Sequence, residues 1–509
     1  MSAAKQISTH VAILGGGPAG YMAALRAAQL GTSTVIIEER EIGGVCLNRG
    51  CIPTKALLRT SEAAYLIDNK SRELGIHASI TSLDLSASIA RKDRVVKNLR
   101  MGLEQLLANN KVHIIKGKGE VQNSRTITVK SETEQTLVSC EKLIIATGSE
   151  PSIPDIPGIK LDGVMSSDEA LELTDIPESL VIIGAGAIGM EFASLFNSLH
   201  AKVTIVEFQN TILPQEDREI ASELLKIMKR QGIKFRLSSQ VKEIRKPREG
   251  GEVKEAGESR EPREAREPRE AREAREPREP REAWEVRKGE KGLEVIIMDE
   301  KGKETLIDTQ RVLIAAGRKP RSMTPDIAAL GVKVKEGAIV VNENMETNIK
   351  GVYAAGDVIG GRLLAHLAFA EGKIAVQNAL GTRSTLNYDA VPSCVYTNPE
   401  ISSVGLSEEE AKRRGFEVKV GRFDFRKNGR ALCLGERDGL VKIITDKNTG
   451  TILGGQILGA YASELISEIT LASALGVKAH MLADMIHPHP ALSEAVMEAC
   501  VDALVGLHS

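Results

Sequence analysis

Apolar and polar positions along the chain fall into a repeating order. Val11-Ala12-Ile13-Leu14 is a continuous apolar run of strand length ahead of glycine, and predicts a buried strand. A helical stretch rich in Ala and Leu follows Pro18. Thr34-Val35-Ile36-Ile37 predicts the next strand, which ends on Glu38. The order returns at Leu180-Val181-Ile182-Ile183, followed by Val203-Thr204-Ile205-Val206, which ends on Glu207. Lys142-Leu143-Ile144-Ile145-Ala146-Thr147-Gly148 and Arg311-Val312-Leu313-Ile314-Ala315-Ala316-Gly317 also match each other. Each is an apolar strand closing on a small residue and glycine, with proline shortly after. Strands alternating with helices predict α/β sheets with parallel strands. The duplication predicts two copies of one unit.

What joins strand to helix gives each unit a chemistry. Gly15-Gly16-Gly17-Pro18-Ala19-Gly20 follows the first strand, and Gly184-Ala185-Gly186-Ala187-Ile188-Gly189 follows its counterpart. Gly15 to Glu38 and Gly184 to Glu207 are the same 23 positions apart. Such glycines let the backbone turn tightly and approach a pyrophosphate, the helix N-terminus offers unpaired N–H groups to it, and the acid accepts a ribose hydroxyl. Two dinucleotide sites are therefore expected. At the second, Glu207 would repel a 2′-phosphate and Phe208-Gln209-Asn210 supplies no arginine to receive one, which favours NAD over NADP.

Composition narrows the class without choosing a function. The 509 residues are 42% hydrophobic and 27% charged, with a net charge of -2, so neither nucleic acid nor an anionic membrane is indicated as a partner. No apolar stretch reaches the ~18 residues of a membrane span. Met1 to His10 lacks a signal-peptide pattern. A cytoplasmic protein is expected. Six cysteines do not make a disulfide scaffold at this length, and Cys140, Cys394, Cys433 and Cys500 read as core or surface thiols.

Cys46 and Cys51 differ from these four. They flank Leu47-Asn48-Arg49-Gly50, after Gly43-Gly44 and ahead of Ile52-Pro53-Thr54-Lys55. On a straight helix, residues five apart would lie roughly 8.7 Å apart at Cα. A disulfide needs less than about 7 Å. If these thiols pair, the backbone must bend, and Gly50 can relax it. A strained pair in a short loop reduces easily, which suits a catalyst better than a staple.

These segments, with Gly351-Val352-Tyr353-Ala354-Ala355-Gly356-Asp357 and His487-Pro488-His489-Pro490-Ala491-Leu492-Ser493-Glu494, resemble the flavin-dependent pyridine nucleotide-disulfide oxidoreductases. Within them the chain is most similar to the dihydrolipoamide dehydrogenases, nearly end to end. The resemblance implies FAD in the first unit, with its pyrophosphate at Gly15, Gly17 and Gly20, its ribose on Glu38 and its ribityl chain on Asp357. Gly119, Thr147, Gly148 and Ala365 lie where the family contacts FAD. Lys55, paired with Glu191, would sit near flavin N5. NAD would use Gly184, Gly186, Gly189 and Glu207, with backbone near Val241 and Gly317. Cys51 would be the thiolate against the flavin, and Cys46 the thiol that exchanges with substrate. His489, oriented by Glu494, would be the acid–base group and would reach the cysteines of the other subunit. No metal is implied. Leu367, where the family usually has lysine or another polar residue, and Arg321, where asparagine is common, depart from the pattern without touching catalytic positions.

The expected fold is α/β, with two Rossmann-like dinucleotide-binding domains for FAD and NAD and an α+β C-terminal dimerisation domain. The expected division is residues 1–151 and 319–388 for FAD, 152–318 for NAD and 389–509 for the subunit interface. An insertion at about 246–292 interrupts the second unit. Glu261 to Arg281 reads as seven triplets of Glu, then Pro or Ala, then Arg, too poor in apolar residues to bury a core. Its flanks, Ser239 to Ile244 and Leu293 to Met298, read as neighbouring strands. A solvated loop expansion is favoured over a docking segment anchored by Trp284. The implied activity is oxidation of protein-bound dihydrolipoyl groups by NAD, in a homodimer serving a lipoyl-bearing protein of a multienzyme complex. Two alternatives are an NADPH-dependent reductase of glutathione or another disulfide, and a non-catalytic partner-binding scaffold.

Overall fold

A computed structural model describes residues 5–247, 292–322 and 324–505. The repeat itself and Trp284 lie outside the described residues.

The first unit forms around strands β1 (Lys5–Leu14), β2 (Thr34–Glu38), β3 (His113–Lys116), β4 (Lys118–Asn123), β5 (Thr126–Lys130) and β6 (Gln135–Ile145). β3, β2, β1 and β6 lie side by side and parallel. β6 is long enough to serve two neighbours. Its first half pairs antiparallel with β5, and Leu143 to Ile145 pair in parallel with the strand Val352–Ala354, which returns from far along the chain. Val11, Ala12 and Ile13 are wholly buried, as a two-sided sheet requires. Helix α1 (Pro18–Gln29) covers one face against the helix Ala365–Ala379. Small residues set this packing distance: a Cβ on Gly372 would fall 2.2 Å from the Ala19 carbonyl oxygen.

The second unit repeats the plan. The strands Lys234–Arg236, Lys202–Val206, Ser179–Ile183, Arg311–Ile314 and Val164–Met165 form a parallel sheet in that order. Ser239–Arg245, Leu293–Asp299 and Glu304–Thr309 form an antiparallel sheet beside it. The expectation that the insertion's flanks are neighbouring strands is met. Ser239 to Arg245 pair antiparallel with Asp299 to Glu294, and Arg245 binds Glu294 at 2.7 Å at the open end.

The C-terminal part is an antiparallel sheet of five strands, Ser393–Val395, Glu400–Gly405, Ile452–Gly459, Leu440–Asp446 and Val418–Asp424, in that order. The helices Ala462–Ala474 and Glu494–Val505 lie on it. The latter packs backbone to backbone, since a Cβ on Gly421 would fall 2.0 Å from the Ala499 oxygen.

Three parts meet around the helix Cys51–Asn69. One apolar cluster joins its Leu57 and Leu58 to Phe192 and Phe196 of the second unit and to Val395 and Ile401 of the third. Two buried lysines tie the same seams. Lys92 donates to the Leu171 carbonyl at 3.0 Å and to Glu172 at 2.5 Å. Lys442 lies among Asp217, Glu219 and Glu408 at 3.0, 2.9 and 3.2 Å. Among the described residues, no helix is long and apolar enough to cross a membrane.

Candidate active site

The two glycine turns superpose in detail. Gly15 and Gly184 both have φ +108, and a Cβ on either would fall within 2.4 Å of the Ala146 or Ala315 carbonyl oxygen. A Cβ on Gly20 or Gly189 would strike the oxygen of that first glycine. These four glycines are required by the fold. The middle ones are not: a Cβ on Gly17 meets only the Gly44 Cα, at 3.8 Å, and one on Gly186 meets nothing within 4 Å. Gly17 and Gly186 cap helices α1 and Ala187–Ser198 with no side-chain bond to the first amides. Open space before an uncapped helix N-terminus fits a pyrophosphate.

The two acids also correspond. Glu38 accepts the amides of Gly16 and Arg40 at 2.6 and 2.8 Å, and Glu207 accepts those of Ala185 and Gln209 at 2.7 and 2.9 Å. Each acid therefore holds its own glycine turn to its strand end. Sequence reading had given them only a ribose.

The cysteine pair is built against the first turn. Helix α2 (Gly44–Arg49) carries Cys46, and helix α3 (Cys51–Asn69) opens on Cys51. Gly50 breaks the axis between them with φ -142 and ψ -107, the bend that pairing demands. A Cβ there would lie 3.1 Å from the Val45 oxygen and 3.4 Å from the Cys46 Cα. The Gly43 amide donates to the Gly16 carbonyl at 2.9 Å, and a Cβ on Gly44 would fall 2.7 Å from the Gly17 Cα. The redox helix thus leans on the phosphate turn. Both cysteines are thiols in this structure. The neighbouring Cys46 thiol and the Lys55 charge lower the Cys51 pKa against burial, while Cys51 and burial raise that of Cys46. Of the two, Cys51 is the one whose thiolate is favoured.

Lys55 follows Cys51 by one helical turn. Its ammonium is 2.8 Å from both carboxylate oxygens of Glu191, which is 6% exposed on the second unit's helix Ala187–Ser198. The Tyr396 ring faces the same ammonium at 4.4 Å, and the Tyr396 amide donates to Glu191 at 3.0 Å.

Asp357 sits at the end of the returning strand Val352–Ala354. Its carboxylate accepts the Ser149 hydroxyl at 2.5 Å, and Ser149 accepts Arg318 Nε at 2.8 Å. Gly356, with φ +78, donates its amide to Glu371 at 2.8 Å, and Glu371 also accepts the Tyr388 hydroxyl at 3.1 Å. Burial pushes the Glu371 carboxyl up to about 7, opposed by those two donors. Ser149, Arg318, Glu371, Tyr388 and Tyr396 were not found in the sequence.

The remaining expected positions are distributed as follows. Thr147 donates its hydroxyl to the Arg321 carbonyl at 2.8 Å. Gly148 and Gly317, both at positive φ, lead into Ser149–Pro151 and Arg318–Pro320, which pair with each other and join the two units. Gly119 packs under Leu14 and Ile37, Ala365 opens its helix, and Val241 lies on the sheet Ser239–Arg245. Leu367 is buried, at 3% exposed, and Arg321 faces Glu39 at 3.6 Å.

His489 stands apart from the cysteines of its own chain. Its Nδ1 is 2.8 Å from Glu494 Oε1, while Glu494 Oε2 accepts the Ala491 amide at 2.8 Å. The amide and the imidazole lower the Glu494 pKa. The imidazole is 82% exposed. Among the described residues, neither cysteine is a hydrogen-bond partner of His489.

Comparison with known proteins agrees with this geometry. Residues 9–265 and 280–372 match the family model "Pyridine nucleotide-disulphide oxidoreductase", and residues 391–500 match its dimerisation domain. The chain is 38% identical to the mitochondrial dihydrolipoyl dehydrogenase of Pisum sativum over 96% of this chain and 90% of that one. It is 39% identical to the dihydrolipoyl dehydrogenase of Thermus scotoductus over 96% and 95%. Among solved structures it is similar to the HOCl-induced flavoprotein disulfide reductase RclA of Escherichia coli, determined as a Cu(II) complex. The TM-score is 0.80, at 28% identity over 98% of this chain and all of that one.

Proposed function

We propose that this chain, which belongs to the pyridine nucleotide-disulphide oxidoreductase family, is a dihydrolipoyl dehydrogenase: a homodimer that oxidises protein-bound dihydrolipoyl groups with NAD as acceptor. The polarised Cys46–Cys51 pair, bent at Gly50 and set beside Lys55, carries this reading. Residues 1–151 and 319–388 serve FAD, 152–318 serve NAD, and 389–509 form the subunit interface.

The chain's residues divide the work. FAD would be held by Gly15, Gly17, Gly20, Glu38 and Asp357, near Gly119, Thr147, Gly148 and Ala365. NAD would be held by Gly184, Gly186, Gly189 and Glu207, near Val241 and Gly317. His489 reaches the pair of the other subunit and takes the proton of one substrate thiol at Nε2, while Nδ1 stays on Glu494. The substrate thiolate attacks Cys46, the disulfide breaks, and Cys51 leaves as a thiolate. The second substrate thiol then attacks its own partner sulfur in the mixed disulfide. That closes the lipoyl ring and frees Cys46, which takes the second thiol's proton while His489 keeps the first. Lys55, held by Glu191, stabilises the Cys51 charge. Bound FAD would supply the two-electron chemistry between the pair and NAD; on the protein side Cys51 gives up the electron pair as the Cys46–Cys51 disulfide re-forms and the Cys46 proton is released.

Glu207, with Phe208-Gln209-Asn210 after it, supports NAD over NADP and disfavours a glutathione-type reductase. The lipoyl carrier is a protein of a 2-oxoacid dehydrogenase or glycine cleavage complex. A cytoplasmic location goes with this reading. The test is NADH formation from dihydrolipoamide by the purified flavoprotein, with Cys46→Ser beside it. Fast turnover abolished in the variant supports the assignment. A flavin-loaded protein without such turnover refutes it.

A further inference from the structure

Tyr396 belongs to the C-terminal part of the chain, yet it touches both members of the Lys55–Glu191 pair. Its backbone amide occupies Glu191 Oε1, the oxygen that also accepts Lys55. Its ring face lies 4.4 Å from the Lys55 ammonium. Burial pushes the Tyr396 hydroxyl up to about 12, so the ring stays neutral. The residue is anchored by its backbone amide on Glu191.

We propose that Tyr396 is a positioning residue for the redox pair: its ring holds the Lys55 cation between Glu191 and Cys51 and so fixes its distance from the Cys51 sulfur. The Lys55 ammonium lies against both Glu191 oxygens on a flexible stem, so Glu191 alone does not fix the side from which it faces Cys51, one helical turn away. A neutral aromatic face attracts the cation without neutralising it. Lys55 therefore keeps its charge available to Cys51, which also faces Cys46, Tyr21 and Glu191. Tyr396 itself faces Cys394, Glu400 and Glu191. The electrostatics of the pair are then completed by three parts of one chain: Lys55 from the first unit, Glu191 from the second, Tyr396 from the third. This rests on the redox reading above.

The test uses two-electron-reduced holoenzyme, in which a Cys51 thiolate against the flavin gives a charge-transfer absorbance that titrates with pH. Tyr396→Leu should raise the midpoint of that titration by roughly one pH unit, and Tyr396→Phe should leave it near wild type. A series of increasingly fluorinated phenylalanines at 396, which weakens the ring face at constant shape, should raise it in graded steps. A purely structural role would move the melting temperature and leave the titration in place. A flat fluorinated series, or a folded Tyr396→Leu protein that titrates as wild type, would overturn the inference. A wild-type flavoprotein with no charge-transfer band would overturn the redox reading, and this inference with it.

Discussion

His487 and His489, two residues apart, have opposite surroundings. His487 is 3% exposed and bonded on both ring nitrogens, to the Met485 carbonyl at 3.0 Å and to Glu468 at 2.9 Å. His489 is bonded through Nδ1 alone and turns the rest of its ring outward. His489→Gln should lower dihydrolipoamide turnover by roughly 10²- to 10⁴-fold with an unchanged melting temperature. His487→Gln should destabilise the fold by about 1–3 kcal/mol and keep most of the turnover. Steady-state kinetics and thermal melts on both variants separate the two roles.

The second glycine turn offers a similar split. Gly186→Ala meets no protein atom, so the protein should fold normally while the NAD KM rises by roughly tenfold or more. Gly184→Ala needs a positive φ and collides with the Ala315 carbonyl, so it should cost at least about 1–3 kcal/mol of stability. Equal KM values for Gly186→Ala and wild type would remove the dinucleotide from this turn.

Glu371 gives a pH dependence of known sign. Its carboxyl is raised to about 7 from its ordinary 4.5, so the folded state binds its proton more tightly than the unfolded chain. Its contribution to stability is complete below the unfolded pKa and is lost as pH rises through the folded one. Across that window wild type should lose on the order of 3 kcal/mol relative to Glu371→Gln. Melting temperatures of the two holoproteins across the window should diverge accordingly, and parallel curves would contradict the burial argument.

Lys442 holds three carboxylates together at the seam of the second and third parts. Lys442→Met would leave Asp217, Glu219 and Glu408 facing one another with Arg422 and, at Glu408, Lys412 beside them, and should cost about 3–5 kcal/mol. The Arg422 and Lys442 side chains hold Glu219 down to about 2, although burial opposes them. That part of the stability is present above the unfolded pKa of 4.5 and disappears as pH falls toward 2. Acid unfolding of Arg422→Met should therefore show a weaker pH dependence between those values than wild type.

Local patterns carried most of the fold. The third glycine of each turn is fixed by a clash with the first, five residues before it, and the apolar strand runs announce themselves, so both units were legible from spacing; the clashes that fix Gly15 and Gly184 come from Ala146 and Ala315, far along the chain. His489 and Glu494 are five residues apart, but their roles came from the resemblance. The Lys55–Glu191 pair spans 136 residues. No periodicity reaches that far, and only the resemblance linked them. Ser149, Arg318, Tyr388 and Tyr396 take their roles from strands that meet late in the chain, so nothing local marked them. Glu371 did leave a trace, as an acid among Leu367, Ala368, Ile374 and Ala375 on a buried helix face.

The hairpin of Ser239–Arg245 and Leu293–Asp299 closes at its neck, with Arg245 clamped to Glu294 and Leu293 paired onto Thr309. Chain enters and leaves that neck through two adjacent, hydrogen-bonded positions. The sheet beneath sees only where its strands begin and end, and loop-closure entropy rises only slowly with loop length. The neck therefore works as a splice site. A reporter or affinity module whose own termini lie close together can be grafted there, and the graft would hang from the second unit with no covalent connection to Cys46, Cys51 or His489 except along the backbone.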